Sequence, residues 1–246
     1  MAPGAYYHVV SNSHQSDSEI AEAYGVPAGK RSVIHNFVDT RRFDRERLSG
    51  DARALACELG INGDTPVFLF LGTGYQRKGL DSALEAFARL DINATLLVVG
   101  RDSQQAKYQE YARQLGIEEK CCFLGEQSSP ECYFSLADCY VLPARYEPFG
   151  FTVLEALACG TPVITTASCG AREVVTADVA TVIDRTDNIQ ALTGAMAHWA
   201  GCKGDAVLQK RCRELALTLD VESIMVQNYQ CILNVYKLKQ AAKCRL

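Results

Sequence analysis

The sequence predicts an α/β fold built on a doubly wound parallel sheet, and three observations carry that prediction. Short apolar, β-branched runs alternate with helical patterns from residue 67 onward. Those runs are apolar throughout instead of alternating with polar residues, as strands covered on both faces must be. Glycine-bearing turns follow several of them, which puts small loops at strand carboxyl ends, where such folds hold ligands.

The candidate strands are Val67–Leu71, Thr95–Val99, Cys121–Leu124, Cys139–Leu142, Pro162–Thr166 and Ala180–Ile183. Between them the spacing of apolar residues predicts helices over Asp81–Leu90, Gln104–Leu115, Pro130–Ala137 and Phe151–Cys159, with a short one near Arg172–Val175. The flanks depart from this repeat. Tyr6–Val10 reads as a strand ending in Ser11-Asn12-Ser13, a helix is expected near Asp17–Tyr24, and a second strand near Ser32–Ile34. The mixed-sign run Arg41–Arg47 reads as a solvated helix face. Asn188–Trp199, Ala206–Leu217 and Glu222–Leu238 read as three helices with no strand between them, the last with an apolar face through Ile224, Tyr229, Ile232, Leu233 and Tyr236.

The chain's 246 residues suit one large domain or two small ones, and a net charge of −4 gives no nucleic-acid footprint. No apolar run approaches the roughly 18 residues of a membrane span. MAPGAYYHVV lacks a basic stretch followed by an apolar core, so a cytoplasmic location is the expectation. Eleven cysteines are scattered without any C-x-x-C pair, so they read as reduced, small core residues and not as a zinc site.

Four constellations carry chemistry. In Glu147–Glu155, EPFGFTVLE, two carboxylates lie eight positions apart. Pro148 and Gly150 put Glu147 on a loop, and the stripe Val153, Leu154, Leu157 and Ala158 puts Glu155 about one turn into a helix. Both therefore sit near a helix N-terminus whose free N–H groups suit a phosphate, an arrangement that would fit a sugar nucleotide. LGTGYQRKG, Leu71–Gly79, is a glycine-rich turn after the first strand of the repeat. It is neither a Walker A loop nor G-x-G-x-x-G, and its Arg77 and Lys78 can neutralise a diphosphate or simply be solvated. FLGEQ, Phe123–Gln127, exposes backbone at Gly125–Gln127 that could pair with a base edge or form an ordinary turn. Cys169-Gly170-Ala171-Arg172-Glu173 is a glycine turn entering a helix. His35 is the one histidine near a motif, and a lone histidine there reads as structural.

These segments, in this order, resemble the carboxyl-terminal half of a family 4 glycosyltransferase of the GT-B fold. VIHNFVDTRRF, FLGTGYQRKGLDSALEAFARL, LLVVG, FLGEQ, ADCYVLPARYEPFGFTVLEALACGTPVI and CGAREVV follow in register, and the flanked E-x7-E element is specific. The group nearest in pattern is the lipopolysaccharide core glucosyltransferases, which share an Arg-Lys-Gly triplet in the first loop. The resemblance implies a Rossmann-like sheet, one half of a GT-B fold, with extra carboxyl-terminal helices. It implies that Arg77 and Lys78 grip the donor diphosphate near Gly72 and Thr73, and that Glu147 binds sugar hydroxyls. Phe149, Gly150 and Phe151 face that sugar, Thr152 lies at the phosphate-facing helix start, and Glu155 holds the ribose. Gly125 and Gln127 lie at the base-reading turn.

The reaction so implied moves a hexose, from a UDP-sugar by expectation, to an acceptor glycan or lipid with retention and without a metal or other cofactor. The leaving phosphate takes the acceptor's proton, so no protein nucleophile is required and the carboxylates are not a hydrolase pair. Three positions depart from the pattern: Thr73 stands where arginine is frequent, Phe37 where glycine is common, and Arg172 where proline is frequent. The pattern also implies residues 1–31 as a remnant of an amino-terminal domain with its linker, 32–220 as the nucleotide-sugar-binding domain, and 221–246 as a helix packing back toward that other domain. The acceptor site and any membrane association would belong to that other half, and the chain alone would transfer weakly or not at all. A binding module working with a separate amino-terminal partner and a GT-B sugar-nucleotide epimerase are the alternatives. A dinucleotide dehydrogenase is disfavoured by the missing G-x-G-x-x-G.

Overall fold

Six parallel strands form the central sheet of the computed structural model, which describes residues 7–243. Ahead of them come β1 (Val9–Ser11), helix α1 (His14–Tyr24), β2 (Arg31–Val33) and α2 (Arg45–Glu58). The repeat follows as β3 (Val67–Leu71), the one-turn α3 (Tyr75–Lys78), α4 (Leu80–Ala88), β4 (Thr95–Val99), α5 (Gln105–Gln114), β5 (Cys121–Gly125), α6 (Pro130–Leu136) and β6 (Cys139–Leu142). It ends with α7 (Phe151–Ala158), β7 (Val163–Thr166), β8 (Ala180–Ile183) and the helices α8 (Ile189–Ala200), α9 (Ala206–Leu217) and α10 (Val221–Lys243). Every strand expected from residue 67 onward is present, within a residue or so at each end.

The sheet order is β5-β4-β3-β6-β7-β8 with all pairings parallel. Counted from β3, this is the 3-2-1-4-5-6 order of a Rossmann-like sheet, which reverses between β3 and β6. Leu69, Phe70, Leu97, Val98, Val141, Leu142 and Ile164 are fully buried, as strands sandwiched by helices must be. Helices α4, α5 and α8 and helices α2, α6, α7 and α9 supply apolar cover, among it Leu80, Leu84, Leu154, Leu157, Leu192 and Trp199.

The flanks correct several expectations. The first strand is Val9–Ser11, not Tyr6–Val10; Tyr6 lies outside the described residues. β1 pairs in parallel with β2, laddering Val9–Ser11 to Arg31–Val33. The Arg41–Arg47 run is not one solvated helix face. Asp44 caps α2, and Arg45 turns inward, donating to the carbonyls of Cys159 (2.7 Å) and Ala137 (2.9 Å) and to Thr161 Oγ1 (3.0 Å). The helix expected near Arg172–Val175 is a 3-10 turn over Gly170–Glu173. Val38 exchanges backbone hydrogen bonds with Leu219 and Val221, fastening the start of α10 to the segment after β2. Beyond that point α10 leaves Met225, Val226, Tyr229, Ile232 and Tyr236 exposed.

Ten cysteines fall among the described residues, all as free thiols, and Cys121, Cys139, Cys159, Cys169 and Cys212 are buried. Burial pushes Cys121, Cys159 and Cys212 up to about 12, so they stay protonated and pack as small apolar groups. Among the described residues, no helix is long and apolar enough to cross a membrane.

Candidate functional site

Where strand order reverses, the loops leaving β3 and β6 diverge and open a crevice at their carboxyl ends. Gly72-Thr73-Gly74 and α3 leave β3 there. Residues 143–150 leave β6 and enter α7. The two most informative sequence motifs therefore face each other because of topology, with 70 residues between Arg77 and Glu147.

Lys78 Nζ lies 3.1 Å and Arg77 Nη1 2.9 Å from the same oxygen of Glu147. The sequence placed the two cations on a glycine turn; they stand instead on a one-turn helix and share a carboxylate. Lys78 is buried and Arg77 open to solvent. The Lys78 stem lies across Gly72, where a Cβ would come 2.5 Å from its Cε, so this path to Glu147 requires the glycine. Arg77 also donates to the carbonyl of Tyr146. An ammonium carries three donors, so Lys78 keeps capacity for an anion beside Glu147.

The Glu147 loop is held from three sides. Its backbone bridges to the turn after β7 through Glu147 N–H to Ser168 O (3.0 Å), Gly170 N–H to Glu147 O (2.9 Å) and Ala171 N–H to Phe149 O (2.7 Å). Ser13, the N-cap of α1, donates to Pro148 O at 2.8 Å. Arg145 makes a two-pronged ion pair with Asp81 (2.9 and 2.6 Å) and donates to Gln76 O, tying the loop to α3 and α4. The Cys169–Glu173 motif is thus an anchor for the Glu147 loop.

Helix α7 follows Gly150 with no side chain capping it, leaving its first amides without a side-chain partner. Beneath it, buried Tyr140 donates to Thr152 Oγ1 (2.7 Å) and lies 3.1 Å from Leu71 O, joining the ends of β3 and β6 to the helix start. Phe149 is buried, whereas Phe151 is exposed and packs edge-to-face with Phe37. Glu155 is half-buried, and its side chain makes no hydrogen bond or ion pair among the described residues. Burial pushes its carboxyl up to about 7, against the opposing pull of Arg42 and Lys78. Farther along the same rim, Gly125 closes β5, and the Gln127 amide donates back to Leu124 O (2.7 Å), bracing the turn. Thr73 is exposed at the tip of the first loop.

The crevice thus collects two cations, uncapped helix amides, one paired carboxylate and one partnerless carboxylate of high proton affinity. Sequence reasoning missed Ser13, Arg42, Asp81, Tyr140 and Arg145. Only Arg145, adjacent to the Glu147 loop, carried a local signal. The others converge through the fold.

The sequence pattern of the family described as "Glycosyl transferases group 1" matches residues 52–217, more than half of the chain. The chain belongs to this family. An uncharacterised glycosyltransferase of Methanocaldococcus jannaschii is 28% identical over 175 residues, covering 70% of this chain and 45% of that protein. The lipopolysaccharide glucosyltransferase WaaG of Escherichia coli is 35% identical over 129 residues, covering 50% of this chain and 34% of its own length. The crystal structure of Anabaena HepE in complex with UDP superimposes with a TM-score of 0.82 at 23% identity, covering 92% of this chain and 64% of that one. At that identity the likeness is one of fold. The chain spans less than half the length of the curated relatives it matches.

Proposed function

We propose that this chain forms the donor-binding half of a retaining glycosyltransferase that moves a hexose from a nucleoside diphosphate sugar, with UDP as the nucleotide. The observation that carries the reading is the convergence of Arg77, Lys78 and Glu147 at the switch-point crevice, in front of the uncapped start of α7. The diphosphate lies against Arg77, Lys78 and the amides of Phe151 and Thr152, and Glu147 meets the sugar hydroxyls. Glu155 accepts from the ribose hydroxyls, and the Gly125–Gln127 turn meets the base. The anomeric C–O bond breaks toward the diphosphate, whose growing charge the two cations and the helix amides stabilise. A diphosphate oxygen takes the acceptor hydroxyl's proton as the acceptor oxygen bonds to the anomeric carbon, so no side chain has to serve as nucleophile. The acceptor, a glycan or lipid, approaches from a second domain that closes the crevice. The exposed apolar face of α10 supports such a neighbour.

Calorimetric titration with UDP, GDP and ADP, followed by their glucose, mannose and N-acetylglucosamine conjugates, tests this. UDP is expected to bind tightest. Lys78→Ala and Glu155→Ala should each weaken it by about 1–3 kcal/mol, the scale of a lost charged hydrogen bond. Unchanged affinity in both variants would refute the site. Adding a candidate amino-terminal domain and assaying transfer separates an enzyme half from a pure binding module.

A further inference from the structure

His14, His35 and Glu173 come from three separate parts of the chain and meet at one point behind the Glu147 loop. His14 is the first residue of α1, His35 follows β2, and Glu173 ends the 3-10 turn after β7. Their ligand-type atoms, one per residue, all lie within 4.8 Å of one another. His35 Nε2 is 3.1 Å from Glu173 Oε2. Two donors on a tetrahedral Zn²⁺, each at about 2.0–2.2 Å, are separated by about 3.3–3.5 Å, so this pair already stands near a shared coordination edge. The His14 side chain is exposed, and its ring already stands edge-on to His35 with centroids 6.0 Å apart.

Glu173 is also oriented as metal-ligating carboxylates are, by donors behind it. The backbone N–H groups of His14 and Gln15 donate to its two oxygens at 2.8 and 3.0 Å. A carboxylate offers about four acceptor positions, and His14, Gln15 and His35 fill three. Capping of α1 explains the two backbone bonds. It does not explain why two imidazoles gather on the same carboxylate.

We infer that His14, His35 and Glu173 form a binding site for a borderline divalent cation of the Zn²⁺ class, distinct from the donor crevice. Two imidazoles and one carboxylate suit zinc and disfavour Mg²⁺ or Ca²⁺, which take oxygen ligands. On binding, His35 exchanges its hydrogen bond to Glu173 for the metal, and water fills the fourth position. The ion would clamp α1 and the segment after β2 onto the Gly170–Glu173 turn. That turn holds Glu147 through the Gly170 N–H, so the clamp stiffens the support of the donor loop without touching the donor.

The test is titration of the full chain with ZnCl₂ and separately with MgCl₂, followed by calorimetry, thermal unfolding and NMR of the imidazole nitrogens. Zinc is expected to bind one to one, raise the melting temperature and shift the His14 and His35 signals, while magnesium does none of these. His14→Ala, at an exposed position whose backbone cap is unaffected, should weaken zinc roughly tenfold or more, at least the loss seen for an outer-shell partner. Zinc binding that leaves both imidazole signals unmoved would place the ion on cysteines and overturn the inference. So would full affinity in His14→Ala, or magnesium binding as tight as zinc.

Discussion

Replacing Glu155 with glutamine should stabilise the chain at pH 8 and leave it nearly unchanged at pH 4.5. Burial beside the start of α7 pushes this carboxyl from 4.5 to about 7 in the folded chain. Well below pH 4.5 the group is protonated folded or unfolded and contributes no pH dependence. Between pH 4.5 and 7 the folded chain binds more protons than the unfolded one, so stability falls as pH rises. Well above pH 7 both states are ionised and the full penalty is in place. A shift of about 2.5 pH units at 1.36 kcal/mol each amounts to about 3 kcal/mol. Glutamine keeps the shape without the charge, so the variant escapes this loss.

Urea denaturation of both chains at half-unit steps from pH 4.5 to 8.5 reads the difference directly. The gap should open between pH 5 and 7.5 and level off near 3 kcal/mol. A gap that stays flat with pH would show that Glu155 ionises freely, and the desolvation argument would fail. The same substitution should lower UDP affinity, because a carboxylate accepts from two hydroxyls where an amide oxygen accepts less strongly. A carboxyl that costs stability at neutral pH and whose replacement lowers UDP affinity would mark a binding position and not a scaffold one.

Two further substitutions separate the donor crevice from the rest of the fold. Gly170→Ala puts a Cβ 2.1 Å from Pro148 O and 2.9 Å from Ser13 Cβ. The Pro148–Phe149 backbone must shift, at about 1–3 kcal/mol in urea denaturation, and calorimetry should show UDP affinity falling with it. Arg45→Met removes the guanidinium bonds to Cys159 O, Ala137 O and Thr161 Oγ1. It should lower stability by about 2–3 kcal/mol, the scale of charged hydrogen bonds lost from buried acceptors, while leaving UDP affinity unchanged because Arg45 lies away from the crevice.

What the sequence revealed follows from how local each signal is. Val67–Leu71 and Cys139–Leu142 are continuous apolar runs, and burial on both faces makes such runs visible without knowledge of their neighbours. Most of helix α2 lay beyond the helix face read over Arg41–Arg47, because only Leu48 and Ala52 on it are buried and its inward-facing Arg45 is of a surface residue type. The one-turn α3 is too short to show a period. Glu147 and Glu155 stood out because their spacing is set by one loop and one helix. Ser13 lies 135 residues from Pro148, and Glu173 lies 138 from His35. No window along the chain contains both members of either pair.

The crevice itself shows why the anchors matter as much as the charged groups. Arg77 and Lys78 on one loop and Glu147 on the other could collapse into a closed ion pair that no ligand would open. The backbone bridges from Ser168, Gly170 and Ala171, with the Ser13 cap and the Arg145–Asp81 pair, hold the two loops independently of that pairing. With both loops fixed from behind, the Lys78–Glu147 contact is free to reorganise around a phosphate without the walls moving. The charge then left for an incoming diphosphate is that of two cations and the α7 amides, offset by Glu147 and only in part by Glu155, whose carboxyl burial pushes up to about 7. A net cationic face held from behind by such anchors suits the diphosphate of the proposed donor.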